Sequence, residues 1–421
     1  MSVIKPFRAL RPLPELASQI AELPYDVMNT EEARELLKEN PLSFIQVTRA
    51  EATLPEGIRD DDPKVYAKAK ENLEAYITNG QLKQDPTPCY YIYRQQMGAY
   101  IQIGLVATAS IKEYKENLIK KHEMTRKDKE QDRIKHIMAT KAQTGPVFLA
   151  YKSKGLVNAL LLKYMSNHQP VYDFTAKDGI KHTLYVVNDP VRVTEITELF
   201  KQVPCMYIAD GHHRSAAAML VADELAKQPG QTGKEEYNYF LAVIFPEKTL
   251  HVLDYNRVVK DLNGLDVQQF LAKLSDKFTV ELVEKNPKPK TMHTFGMFLG
   301  GKWYKLTAKP GTFAESDPIN SLDVSILQNN LLKPILNIGD PRTDKRIAFV
   351  GGIRGLKELE QKVTDGEYEV AFAMYPTTME QLMSAADQGL ALPPKSTWFE
   401  PKLRDAMAIH LIGDEQDEKS I

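Results

Sequence analysis

Asp210, Gly211, His212, His213 and Arg214 follow the apolar run at 205–209 and lead straight into the alanine-rich stretch at 215–219. This order predicts a strand, a tight polar turn and a helix opening. A helix N-terminus offers backbone N–H groups without intrahelical partners and the positive end of a dipole, and glycine lets a ligand approach the backbone closely. Two imidazoles and a guanidinium at such a mouth suit phosphate, and the aspartate suits a ribose hydroxyl or a metal. The plainer alternative is a capped helix whose histidines only satisfy backbone groups. Adjacent histidines between an acid and an arginine are hard to explain by packing.

Three further segments carry chemically able residues. Residues 120–126 read KKHEMTR, with Asp132, Arg133 and His136 downstream. On a helix Asp132 and His136 share a face. The segment is either a solvated charged face or a place where Glu123, beside His122, works as a general base. Residues 392–399 read LPPKSTWF. Two prolines stiffen a turn presenting Lys395, Ser396 and Thr397, either as a phosphate grip or as a plain turn anchored by Trp398 and Phe399. Tyr25 and Asp26, with Phe7 and Arg8, could line a pocket, but a structural Pro-Tyr turn is the better reading. The glycines at 351, 352 and 355 match neither the dinucleotide nor the P-loop fingerprint, and GxxxxGK[ST], HExxH and GxSxG are absent.

The elements that would position these residues follow from periodicity and punctuation. A helix is expected over 30–39 with Thr30 as its cap, a strand over 42–48, a helix over 65–80, and paired strands at 89–94 and 100–107. The charge-dense run 112–141 carries a narrow apolar stripe of Ile134, Ile137 and Met138 and reads as a surface or cleft helix. Strands at 147–151, 184–187 and 205–209 and a helix over 194–202 precede the helix that starts at Ser215. A loop covers 228–233 and a further element 238–245. Beyond it, helices are expected at 267–278, 324–332, 356–363 and 378–388, with strands at 291–299, 303–306, 347–351 and 368–373.

A chain of 421 residues is too long for one small core, and two or three domains are expected. With 43% hydrophobic and 26% charged residues and a formal charge of -2, it is an ordinary globular protein with no bulk reason to bind nucleic acid. Cys89 and Cys205 are the only cysteines, which argues against a disulfide framework or structural zinc and fits a reducing compartment. No apolar run has the length of a membrane span, and the first residues lack a signal-peptide core. A cytoplasmic protein is the expectation.

The motifs PFRAL, LPYDV, PLSF, KKHEMT with DR, YIADGHHR and PPKSTWFEPK, in this order, resemble a bacterial and archaeal family of domains of unknown function. From about residue 110 onward the chain also resembles the compact free-serine kinases, which have a ParB/sulfiredoxin-like nucleotide-binding fold. The resemblance implies an α/β (α+β) protein with such a core and an added N-terminal α+β module. The expected division is 1–108 for that module, 109–260 for the nucleotide-binding core, 261–412 for a C-terminal α+β domain bearing the phosphate loop, and 413–421 as a flexible tail.

By the same resemblance Glu123, with His122, is the counterpart of the catalytic glutamate that takes the proton of a substrate hydroxyl. Asp210, Gly211, His212, His213 and Arg214 would hold nucleotide phosphates, with Asp210 the acidic residue for Mg²⁺. Lys395, Ser396 and Thr397 would complete the phosphate cradle. The implied activity is phosphoryl transfer from ATP or ADP to free L-serine or a similar hydroxylated metabolite. The 87 positions between Glu123 and Asp210, and Trp398 and Phe399 where the kinases carry arginine and histidine, depart from that pattern. The alternative reading is a ParB-like nucleotide-binding regulator without kinase activity. Sulfiredoxin-like chemistry lacks support because neither cysteine lies in the phosphate motif, and Cys205 is expected to face the core.

Overall fold

The computed structural model describes residues 2–284 and 287–413. The chain divides into two compact units, Met1–Leu250 with Pro401–Ile421, and His251–Glu400. The strand Tyr100–Ser110 spans the boundary expected near residue 108. It pairs with Tyr90–Met97 on one side and Tyr239–Pro246 on the other, so segments before and after that point share one sheet. Residues 414–421, most of the expected tail, lie outside the described residues.

The first unit is built on a nine-stranded mixed sheet. Its strand order is Ile119–Lys120, Met206–Asp210, Val147–Tyr151, Tyr239–Pro246, Tyr100–Ser110, Tyr90–Met97, Lys181–Val187 and Tyr172–Thr175, with Ile4–Lys5 added onto Tyr100–Ser110. Met206–Asp210 runs parallel to Ile119–Lys120 and antiparallel to Val147–Tyr151. Val147–Tyr151 is buried at every position and Tyr239–Pro246 at all but the first. Continuous apolar strands of this kind are covered on both faces. Helix His212–Leu225 buries Ala216, Ala217, Ala218, Val221 and Ala222, small residues that bring its backbone close, and it packs against helix Lys127–Thr140.

Local departures from expectation have local causes. Helix Thr30–Glu39 forms as read, but its cap is Asn29, whose side chain accepts from Glu32 N–H in a reciprocal capping box. Residues 42–48, expected as a strand, contain the helical turn Ile45–Thr48, with Phe44, Ile45 and Val47 buried. The charged run at 112–141 is three elements: helix Ile111–Lys115, strand Ile119–Lys120 and helix Lys127–Thr140. Asn117 takes φ +58°, a left-handed conformation that asparagine tolerates, and the chain turns there. His122 and Glu123 therefore sit in a loop, not on a helix.

The second unit carries a six-stranded antiparallel sheet, ordered Phe278–Val283, Lys302–Ala308, Thr294–Leu299, Val370–Ala373, Tyr255–Val259 and Ile347–Gly351. Helix Gly355–Thr364 seals one face through Leu359, which is fully buried against Val258, Phe298 and Ala371. The helix expected over 324–332 is a short α segment, Asp323–Leu327, continued by a π-turn, Gln328–Leu332.

Candidate functional site

The strand Met206–Asp210 delivers the turn. Its apolar residues are buried, and its pairing with Val147–Tyr151 shifts register between Ile208 and Asp210. Such irregularities re-aim a side chain at the end of a strand. Gly211 follows at φ +95°, and a Cβ there would lie 3.3 Å from Val147 Cα. Both the backbone sign and the close neighbour require glycine. The helix opens at His212, three residues before the expected Ser215, without a side-chain cap. His212, His213 and Arg214 thus form the first turn of a helix whose N-terminal N–H groups and dipole favour an anion.

The two histidines do not bring positive charge. Burial holds His212 well below the ordinary imidazole range, reinforced by His122, and burial also lowers His213. Both are hydrogen-bonding groups here. His213 Nε2 accepts the Arg126 N–H at 3.1 Å, and His212 Nε2 faces the His122 N–H at 3.5 Å. These contacts tie the loop at 121–126 to the helix opening. They bring Glu123 Oε2 to 3.6 Å from His212 Nδ1, although the two residues lie 89 positions apart. The rings of His122 and His212 meet edge to face at 4.4 Å. His122 is buried and pushed down to about 4 by that burial.

Asp210 is occupied by partners of its own. Its Oδ1 accepts the Gly211 N–H at 2.8 Å, and its Oδ2 accepts from Lys402 Nζ at 2.8 Å. Burial alone would raise the Asp210 carboxyl; the Lys402 ammonium and the Arg214 guanidinium overcome that and hold it far below the usual carboxylate range. Lys402 is fixed in turn, because its carbonyl accepts from Gln95 Nε2 at 2.8 Å. Mg²⁺ takes an octahedral set of oxygens. A carboxylate with one oxygen on an ammonium and the other on a backbone N–H does not fit that demand. Among the described residues, three possible donors do converge: one ligand atom each from His122, Glu123 and His212, within 4.8 Å of one another.

Beside the turn lies a second group of charges that the sequence did not single out as a site. Arg214 Nη1 donates to the Pro146 carbonyl at 2.8 Å and Nη2 to Asp26 Oδ1 at 3.4 Å. The Arg133 guanidinium stacks 3.9 Å over the Tyr25 ring and pairs with Asp132 at 2.7 Å. His136 hydrogen-bonds the Val47 carbonyl at 2.9 Å and is pushed down to about 4 by burial. Tyr25, Arg133, His136, Thr144, Arg214 and Asp405 line a cavity of about 30 Å³, room for about one or two waters. Asp405 is buried, and burial pushes it up to about 7. Its Oδ1 has no hydrogen-bond partner among the described residues. Tyr25 and Asp26 lie in a turn, as read, closed by Val27 N–H to the Pro24 carbonyl; Tyr25 also faces both arginines and Asp26 accepts from Arg214. Lys402, the last residue of the PPKSTWFEPK motif, was given no role, and Asp405, outside every motif, was missed.

Lys395, Ser396 and Thr397 belong to the second unit. Lys395 takes φ +57° and its carbonyl accepts from Arg257 Nη2 at 3.0 Å. Ser396 Oγ donates to the Pro393 carbonyl at 2.5 Å, and the Ser396 carbonyl accepts from Thr377 Oγ1 at 2.9 Å. Those bonds make this stretch a tightly held turn within its own unit. Cys205, expected in the core, lies just before its strand and is half-buried, with Sγ 3.4 Å from the Tyr207 hydroxyl.

A family model described as "Protein of unknown function (DUF1015)" matches residues 4–325. The chain belongs to the DUF1015 family. The match spans the nine-stranded sheet from its first strand, the loop with Glu123 and the Asp210–Arg214 turn. Among solved structures the chain is similar to a conserved hypothetical protein from Pyrococcus furiosus, at 16% identity over 73% of this chain and 95% of that one, with a TM-score of 0.35. A free serine kinase variant in complex with ADP is 13% identical over 71% of this chain and 88% of its own, with a TM-score of 0.35. SbnI with a C-terminal truncation, from Staphylococcus aureus, is 9% identical over 75% and 93%, with a TM-score of 0.37. A comparison with curated proteins gives no match. No helix among the described residues is long and apolar enough to cross a membrane.

Proposed function

We propose that this DUF1015 protein is a small-molecule kinase that transfers a phosphoryl group from ATP or ADP to the hydroxyl of free L-serine or a similar metabolite. The observation that carries the reading is the 3.6 Å approach of Glu123 to His212, the first residue of an uncapped helix. It sets a carboxylate base beside an anion-receiving helix N-terminus, which are the two parts phosphoryl transfer asks of a protein. The order of the HE, DGHHR and PPKST motifs supports the same class.

In this reading the nucleotide phosphates sit against Gly211 and the first turn at His212, His213 and Arg214. Lys402, held by Asp210, supplies positive charge at the end of the same strand. Glu123 accepts the proton as the acceptor oxygen bonds to the terminal phosphorus. The bridging P–O bond breaks and the nucleotide leaves one phosphate shorter. The neutral imidazole of His212, 3.6 Å from Glu123, does not compete for that proton.

The test is to incubate the full chain with ATP or ADP, Mg²⁺ and a panel of hydroxylated amino acids and to follow product mass. A phosphorylated amino acid is the expected product. Nucleotide binding without any product across the panel would favour a nucleotide-binding regulator instead.

A further inference from the structure

The donor set at His122, Glu123 and His212 has a feature that phosphoryl transfer does not require. His122 is 3% exposed, and its Nδ1 is buried with no hydrogen-bond partner among the described residues. The Ile208 backbone favours a proton on this ring; with Nδ1 unpartnered, we place that proton on Nε2. One nitrogen donating to a backbone carbonyl fixes the tautomer and leaves a lone pair on the other. This is how a metal-binding histidine is oriented. A buried lone pair without a donor is otherwise desolvated with nothing to offset it.

His122 does not stand alone. One ligand atom each from His122, Glu123 and His212 lies within 4.8 Å of the others. Glu123 Oε2 and His212 Nδ1 are 3.6 Å apart. Tetrahedral zinc with ligand bonds of about 2.0–2.1 Å places its donors about 3.3 Å from one another. The 3.6 Å between Glu123 and His212 lies close to that separation. Metal at His212 Nδ1 moves the ring proton to Nε2 and opens the 3.5 Å contact from the His122 N–H, which is already at the outer limit of a hydrogen bond. Two imidazoles and one carboxylate suit Zn²⁺ and its first-row neighbours and suit Mg²⁺ poorly.

We propose that His122 Nδ1, the Glu123 carboxylate and His212 form a binding site for a Zn²⁺-class transition metal, and that this metal and the acceptor proton compete for Glu123. The first half stands on the donor geometry; the competition rests on the kinase reading. Three protein ligands, one of them half exposed, leave the fourth position of a tetrahedral ion to water. A metal seated there removes the base from phosphoryl transfer, so the protein is inactive when loaded and active when stripped.

The experiment titrates Zn²⁺ alone into the metal-free full chain without nucleotide. Binding is followed by calorimetry and by competition with a chromogenic chelator, and Co²⁺ is then added for its visible d–d spectrum. The expected result is one saturable equivalent, weakened about 10- to 100-fold in His122→Gln and unchanged in His168→Gln, a histidine stacked on Tyr164 outside the site. Glu123→Gln, a near-isosteric change at a half-exposed position, must weaken binding as well, and thermal melting confirms that each variant is folded. Absence of saturable binding, or equal affinity in the wild type and Glu123→Gln, overturns the site. Stoichiometric Zn²⁺ is expected to stop transfer and a chelator to restore it; undiminished transfer by the loaded protein overturns the competition. Metal binding that follows His122 and Glu123 in a protein with no transfer activity upholds the site and defeats only the kinase reading.

Discussion

Asp210 and Lys402 lie 192 positions apart in the chain and meet at 2.8 Å at the end of one strand. The pair converts an acid that looked like a metal ligand into a holder for a cation. It also brings the residues after Pro401 back to the first unit, where they join the turn that Gly211 makes.

Lys402→Met removes that partner and leaves the Asp210 carboxylate at a partly enclosed site. The pair is half screened by solvent, so the loss expected in urea unfolding at neutral pH is about 1–2 kcal/mol. Asp210 titrates far below its unfolded value, so its contribution is present above the unfolded carboxylate pKa and fades only in strong acid. The difference between wild type and variant should therefore shrink as pH falls below about 4. Nucleotide affinity should fall in the same variant, and Lys402→Arg should restore part of it.

Gly211→Ala places a Cβ 3.3 Å from Val147 Cα at φ +95°. The expected cost is about 1–3 kcal/mol in thermal or chemical unfolding, together with weaker nucleotide binding. A variant as stable as the wild type would show that the turn relaxes freely.

Asp405 binds its proton more tightly folded than unfolded, because burial pushes it up to about 7. Between about pH 4 and 7 the folded state holds a proton that the unfolded state has released. Stability from this group must decline across that window, by up to about 1.4 kcal/mol per pH unit, and level off above it. Asp405→Asn cannot titrate, so its stability relative to the wild type should rise from pH 5 to pH 8. Parallel pH profiles for the two proteins would count against a protonated Asp405.

Much of this was legible in the sequence where the signal is local. Helix Thr30–Glu39 and strand Val147–Tyr151 fall where periodicity put them, since each is a run of consistent pattern with clear ends. The Asp210–Arg214 turn was legible because a strand, a glycine and a helix opening are contiguous. Residues 42–48 were misread because a short apolar run suits a strand or a buried helical turn equally. The break at Asn117 was hidden inside uniform charge. The pairings of Lys402 and Asp405 were illegible for a different reason: their partners are set by sheet topology, and no spacing rule connects positions so far apart. The neutral state of His212 was likewise invisible, because burial decides it.

The central claim is that Glu123 acts as the base of phosphoryl transfer at this turn. The most direct measurement compares the wild type with Glu123→Gln in one assay for phosphate transfer to L-serine and related hydroxylated amino acids, with nucleotide binding measured on the same samples. The account predicts transfer by the wild type, a loss of about 100-fold or more in the variant, and unchanged nucleotide affinity. Full transfer by Glu123→Gln would contradict it.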